Sequence, residues 1–174
     1  NGDFGVLKPN SVGNLQFISE KKHLGIDGIG RVAKIIIQDN KKYLKTDKAL
    51  FVITTEGVEV IKPETEIEGI FLLDNKLYIL QRGLGLFFLK GKGLKKVEEG
   101  EQFSTRAVVA SVRFGDRNLF FTDQDGVYEL SNTGRLVKRN VFNGMSLLSA
   151  IKIDDDLLSL GTSSNGIIVV DKKF

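Results

Sequence analysis

A single histidine, His23, stands in the segment EKKHLG. A lone imidazole acts as a general base only beside a nucleophile that it can deprotonate. No G-x-S-x-G elbow marks such a nucleophile, and two lysines precede the ring, so His23 reads as a solvated loop residue. Cysteine is absent, which removes disulfides, thiolate nucleophiles and thiolate metal sites. The acidic stretches DQDG (123–126) and DDD (154–156) invite calcium. An EF-hand loop starting at Asp123 needs a Glu at its twelfth position, and Gly134 stands there. Asp also bonds its own backbone in turns, and turn chemistry is the reading taken for both stretches.

Glycine clusters raise the prospect of a phosphate cradle. They are GIDGIG (Gly25, Gly28, Gly30), GLG (Gly83, Gly85) and GKG (Gly91, Gly93). A cradle opens a helix, and no helical periodicity follows any of them, so they read as turn glycines. The lysine-rich KGKGLKK (90–96) lacks interleaved aromatic platforms, and the net charge is only +3. Nucleic-acid contact is therefore not expected, and these lysines read as guards of a sheet edge. No catalytic residue, metal ligand or cofactor is expected, and the chain does not read as an enzyme.

What must position any binding residues is a repeat. Hydrophobic residues are 41% of the 174 and charged residues 27%, as in an ordinary globular domain. No apolar stretch has the length of a membrane span, and the first residues do not read as a signal peptide. Short apolar runs bounded by Gly, Asp, Asn and Lys dominate, which predicts strands and tight turns. Units at about 32–62, 67–98 and 107–139 share one grammar, with a partial unit at 1–24 and another at 147–174. An apolar strand meets a turn centred on Asp39, Asp74, Asp116 or the aspartates at 154–156. A second strand follows, centred on Tyr43, Tyr78, Phe120 or Leu158. A polar loop leads to a third strand (ALFVI, GLFFL, GVYEL, GIIVV), and a turn leads to a basic fourth. Four strands in about 40 residues is the period of a propeller blade. The expected fold is all-β: a partial β-propeller of about four blades, each a four-stranded antiparallel sheet.

The segments DFG (3–5), DNKKYLKTDKALFV (39–52), DNKLYIL (74–80) with GLGLFFL (83–89), and FFTDQDGVYEL (120–130) resemble the propeller repeats of two-component regulators. These repeats form extracytoplasmic sensor regions of hybrid histidine kinases and related membrane-anchored or DNA-binding regulators in Bacteroidetes-type bacteria. The resemblance runs over essentially the whole chain. It departs from the usual repeat in lacking Trp, with Tyr43, Tyr78 and Phe120 in the equivalent stretch. It implies a periplasmic, non-catalytic recognition module that works with the rest of its own propeller and with downstream signalling domains.

In a propeller, ligands meet the second-to-third-strand loops and the inter-blade loops. Arg82, Arg106, Asp123, Asp125 and Asn165 lie in these loops and carry donors and acceptors for an anionic or hydroxylated small molecule or glycan. A protein-interaction scaffold and a carbohydrate-active propeller enzyme are the alternatives. Incomplete terminal blades would leave apolar faces exposed, which predicts self-association through them. Phe88 and Phe120 are expected to be buried.

Overall fold

The computed structural model of the chain describes residues 3–21 and 28–174. His23 and Gly25 lie outside the described residues, as does the end of the expected partial unit 1–24. Two compact units make up the chain, Asn1–Ile67 and Glu68–Phe174.

In the first unit, β1 (Gly5–Pro9) and β2 (Leu15–Ser19) form a hairpin. Then β3 (Val32–Gln38), β4 (Lys41–Thr46), β5 (Leu50–Thr54) and β6 (Gly57–Ile61) form a four-stranded antiparallel sheet in chain order. Phe4 and Ile29 pack with Leu44, Phe51 and Ile53 to make its core.

The second sheet begins at the boundary of the units with β7 (Ile67–Leu73) and continues through β8 (Lys76–Gln81), β9 (Gly85–Lys90) and β10 (Gly93–Lys96). Asp74 and Asn75 both hold positive φ, 46° and 59°. That is the type I′ geometry whose twist matches the strands of a two-residue hairpin. A single 3-10 turn, Gly100–Phe103, then buries Phe103. The third sheet is β11 (Val108–Phe114), β12 (Arg117–Thr122), β13 (Asp125–Leu130) and β14 (Leu136–Asn143). The last has three strands, β15 (Leu147–Lys152), β16 (Leu157–Thr162) and β17 (Ile167–Asp171). The fold is all-β, and these sheets are the blades of a β-propeller.

Burial on both faces explains why the second strands read as continuous apolar runs. Along β12, Phe120 joins one core with Phe71, Tyr78, Phe103 and Tyr128. Its neighbours Leu119 and Phe121 join the opposite core with Leu158 and Leu160. The alternation follows from the two-residue period of a strand, and each fully buried side chain contributes about 1.5–3 kcal/mol.

The structure corrects the expected alignment of the second strands. They end at Thr46, Gln81, Thr122 and Thr162. Counting back from those ends, Tyr43 and Tyr78 correspond to Leu119 and Ser159, not to Phe120 and Leu158. A slip of one residue moves a side chain to the other face. Phe120 is fully buried as expected, but Phe88 is only half-buried, with the Lys76 ammonium 3.6 Å from its ring centre. The fourth strand of the third sheet also runs on to Asn143, beyond the expected 139.

Candidate functional site

Three of the second-to-third-strand hairpins are closed by the same side chain. The Thr122 hydroxyl donates to the Gly126 carbonyl (2.9 Å) and accepts from the Asp125 amide (3.1 Å). Thr162 does the same with Gly166 (2.9 Å) and the Asn165 amide (2.9 Å). Thr46 donates to the Ala49 carbonyl (3.0 Å) and accepts from the Lys48 and Ala49 amides, both at 3.1 Å. All three threonines are buried, so their hydroxyls must find partners locally.

Backbone hydrogen bonds stitch these hairpins to the inter-blade segments. In the second unit the Gly83 amide donates to Ser104 O (3.2 Å), and Asp123 to Ala107 O (3.1 Å). Leu147 donates to Asp123 O (2.8 Å), Gly144 to Gln124 O (3.0 Å), and Ser163 to Ser146 O (3.0 Å). The two sets of loops therefore form one continuous rim. Arg82, Arg106, Asp123, Asp125 and Asn165 all lie on it.

Arg106 and Asp125 come together. The Asp125 carboxylate takes the Arg106 guanidinium and the Tyr128 hydroxyl on Oδ2, and Lys138 Nζ on Oδ1 at 2.5 Å. Arg106 also donates to the Gln102 carbonyl. The Lys138 bond, followed by that from Tyr128, holds the Asp125 carboxyl down at about 2. Burial, helped by the bond to Asp125, pushes the Tyr128 phenol up to about 12. Gly126 permits the arrangement: at φ 79° it approaches the Val141 carbonyl so closely that a Cβ would lie 2.4 Å from the oxygen.

The other candidates stand apart along the rim. Arg82 is exposed and pairs through Nε with Glu68 Oε1 at 3.0 Å. Asp123 is half-buried and fixes neighbouring segments through its backbone groups. Asn165 is exposed, and its Oδ1 accepts from the Ser164 hydroxyl at 2.9 Å. Tyr128, Lys138 and Gln102 escaped the sequence reading as members of this site. Lys138, on the basic fourth strand of its sheet, crosses the ladder to Asp125. The aspartates at 154–156 act as turn formers: Asp154 Oδ1 accepts from the Asp156 and Leu157 amides, both at 2.8 Å. The arrangement can exchange one charged partner for another at Arg106 and Arg82, and can hydrogen-bond hydroxyl groups at Asn165.

No family model matches this sequence, and no curated protein does. Solved structures do match. PorZ, a bacterial surface component of the type-IX secretion system of Porphyromonas gingivalis, superposes with a TM-score of 0.64 at 13% identity, over 84% of this chain and 21% of that one. The extracellular domain of the hybrid two component system BT3049 from B. thetaiotaomicron gives 0.60 at 17% identity, over 97% of this chain and 23% of that one. The Dos1 propeller gives 0.59 at 14% identity, over 97% of this chain and 49% of that one. The chain thus spans only a minor part of PorZ and of the BT3049 domain, and the likeness is one of fold. Among the described residues, no helix is long and apolar enough to cross a membrane.

Proposed function

We propose that this chain is a non-catalytic recognition propeller from the extracytoplasmic sensor region of a bacterial two-component regulator. The observation that carries the reading is the rim. One edge of the second unit carries two arginines, two aspartates and an amide, and the hairpins of Asp123, Asp125 and Asn165 are held in shape by the hydroxyls of Thr122 and Thr162. Rigid hairpins carrying exchangeable charge suit ligand recognition, because function on a propeller resides in the loops and not in the fold. The likeness over 97% of the chain to the extracellular domain of a hybrid two component system supports the sensor setting. An anionic ligand, a carboxylated or sulfated glycan among them, would displace Asp125 from Arg106 and engage Arg82. A scaffold role is the second reading, favoured by the exposed apolar side chains of the terminal sheets, Ile167 and Leu15 among them.

Thermal denaturation in the presence of carboxylated, sulfated and neutral oligosaccharides tests the proposal. A ligand at about 100 times its dissociation constant stabilises the chain by about 2.7 kcal/mol. Arg82→Ala and Arg106→Ala are expected to abolish that gain while changing the unliganded midpoint less than the ligand does. No shift with any member of the panel at millimolar concentration would leave the scaffold reading in its place.

A further inference from the structure

Within the second unit, a cleft of about 200 Å³ opens between the second and third sheets. It lies away from the rim, because β8 runs toward the rim from Lys76 and β9 runs from the rim toward Lys90. Cross-strand register sets Tyr78, Phe88 and Lys95 in one row across β8, β9 and β10. Lys76 stands two residues before Tyr78 and shares its face. Leu130, Thr133 and Gly134, at the β13–β14 turn, line the other side.

The polar groups of this cleft are donors without partners. Tyr78 is only 3% exposed, yet its hydroxyl bonds to no group among the described residues. Buried hydroxyls are ordinarily satisfied, and the cleft is where this one meets open space. Burial pushes the phenol up to about 12, so it keeps its proton as a donor. Lys76 Nζ sits 3.6 Å from the Phe88 ring centre and 5.7 Å from that of Tyr78. Such a contact holds an ammonium in place without neutralising it.

Lys95, one of the lysines read from sequence as an edge guard, makes no ion pair among the described residues. The other charges of the lining are already matched. Lys96 pairs with Glu101 at 3.4 Å, and the one carboxylate, Glu98, stands 3.9 Å from Arg135. The uncompensated charge is therefore that of Lys76 and Lys95.

We infer that this cleft binds a phosphoryl group, either as the free ion or as the monoester of a small molecule. Two unmatched ammonium groups and an unpartnered hydroxyl call for an anion that accepts several hydrogen bonds. A phosphoryl group brings a charge of about −1.5 to −2 at neutral pH and three strong acceptor oxygens. A carboxylate brings one charge and two oxygens. Lysine serves phosphate as a point charge and needs no bidentate geometry. The volume equals that of about six or seven waters at roughly 30 Å³ each, so beyond the phosphoryl group only a small body fits, against Leu130. The site is separate from Arg82 and Arg106 and does not depend on what the rim binds.

Isothermal titration calorimetry with inorganic phosphate, glucose 6-phosphate and acetate tests the inference, at one ionic strength because salt screens exposed charge. At least one of the two phosphates should bind with a dissociation constant of about 1 mM or below, and acetate at least about tenfold more weakly. Tighter binding of the sugar phosphate assigns the site to a monoester, and tighter binding of inorganic phosphate assigns it to the free ion. Tyr78→Phe and Lys95→Ala should each raise the dissociation constant at least about tenfold, as loss of a bond to a charged group does. Tyr78→Phe keeps the buried ring, so the unliganded thermal midpoint should not fall. Lys92→Ala, exposed and outside the cleft, should change nothing, and so should Arg82→Ala and Arg106→Ala on the rim. No binding of either phosphate at about 10 mM overturns the inference. So does acetate binding as tightly as phosphate, or phosphate binding indifferent to Tyr78→Phe and Lys95→Ala.

Discussion

Replacing Phe120 by alanine is the sharpest probe of how the second unit is held together. Its ring is fully buried and meets three others: Phe71 at 6.0 Å, Tyr78 at 5.6 Å and Phe103 at 5.8 Å between centroids, all edge to face. A buried Phe→Ala costs about 3–5 kcal/mol through lost transfer energy and the cavity left behind. Edge-to-face pairs add about 0.5–1.5 kcal/mol each beyond area, though not additively. Phe120→Ala should therefore fall in the upper part of that range, about 4–5 kcal/mol. That is a large share of the roughly 5–15 kcal/mol that holds a domain folded. Phe88 supplies the internal control, since it has the same side chain on the same core but is half-buried beneath Lys76. Phe88→Ala should cost about 1–2 kcal/mol from partial burial and one cation–π contact. Urea denaturation reads both, as a lower midpoint at constant slope. A loss below about 1 kcal/mol at Phe120 would refute the two-core account of β12. Equal losses at the two positions would refute it too.

Other outcomes follow from the rim and its turns. Asp125 titrates at about 2 in the folded chain against an ordinary 3.8, so its contribution is present above about pH 4 and is lost as pH falls toward 2. With the side chain 29% exposed, screening reduces that contribution to about 1 kcal/mol, and Asp125→Asn should flatten acid denaturation in that window. Tyr78 and Tyr128 are both pushed up to about 12; their stabilisation is complete below pH 10 and lost between 10 and 12, which an ultraviolet titration compared with the unfolded chain will detect. Gly126→Ala should cost more than about 2 kcal/mol, because positive φ and the Val141 carbonyl act together. Gly91→Ala, at φ 58° with open space around it, should cost about 1 kcal/mol. Equal losses in denaturant would contradict the close approach at Gly126.

The blade grammar was legible because strands buried on both faces leave runs such as LYIL that no amphipathic surface strand would carry. The register within those runs was not. Tyr43, Tyr78 and Phe120 look alike in sequence, and only the strand ends at Thr46, Gln81 and Thr122 show that Phe120 points the other way. Phe88 misled for a related reason: a third strand is apolar throughout, yet the outer part of a blade is covered less than the inner part. On the rim, the loops holding Arg82, Arg106 and Asp125 could be located from strand order, since every second connection emerges at the same end of a blade. The partners of Asp125 could not. Lys138 reaches it across a ladder in which Tyr128 faces Lys138 and the register shifts between Asp125 and Val127, and an irregular rung leaves no periodic trace in a sequence.

The threonine closures separate two tasks within each hairpin. In the two five-residue turns the hydroxyl binds the third and fourth residues after it, leaving the two in between, Asp123 and Gln124 or Ser163 and Ser164, without any bond to the clasp. Those intervening side chains can change identity while the loop keeps its shape. Selection can therefore rewrite the chemistry of the rim one blade at a time, which makes it an interchangeable keyboard on a fixed frame.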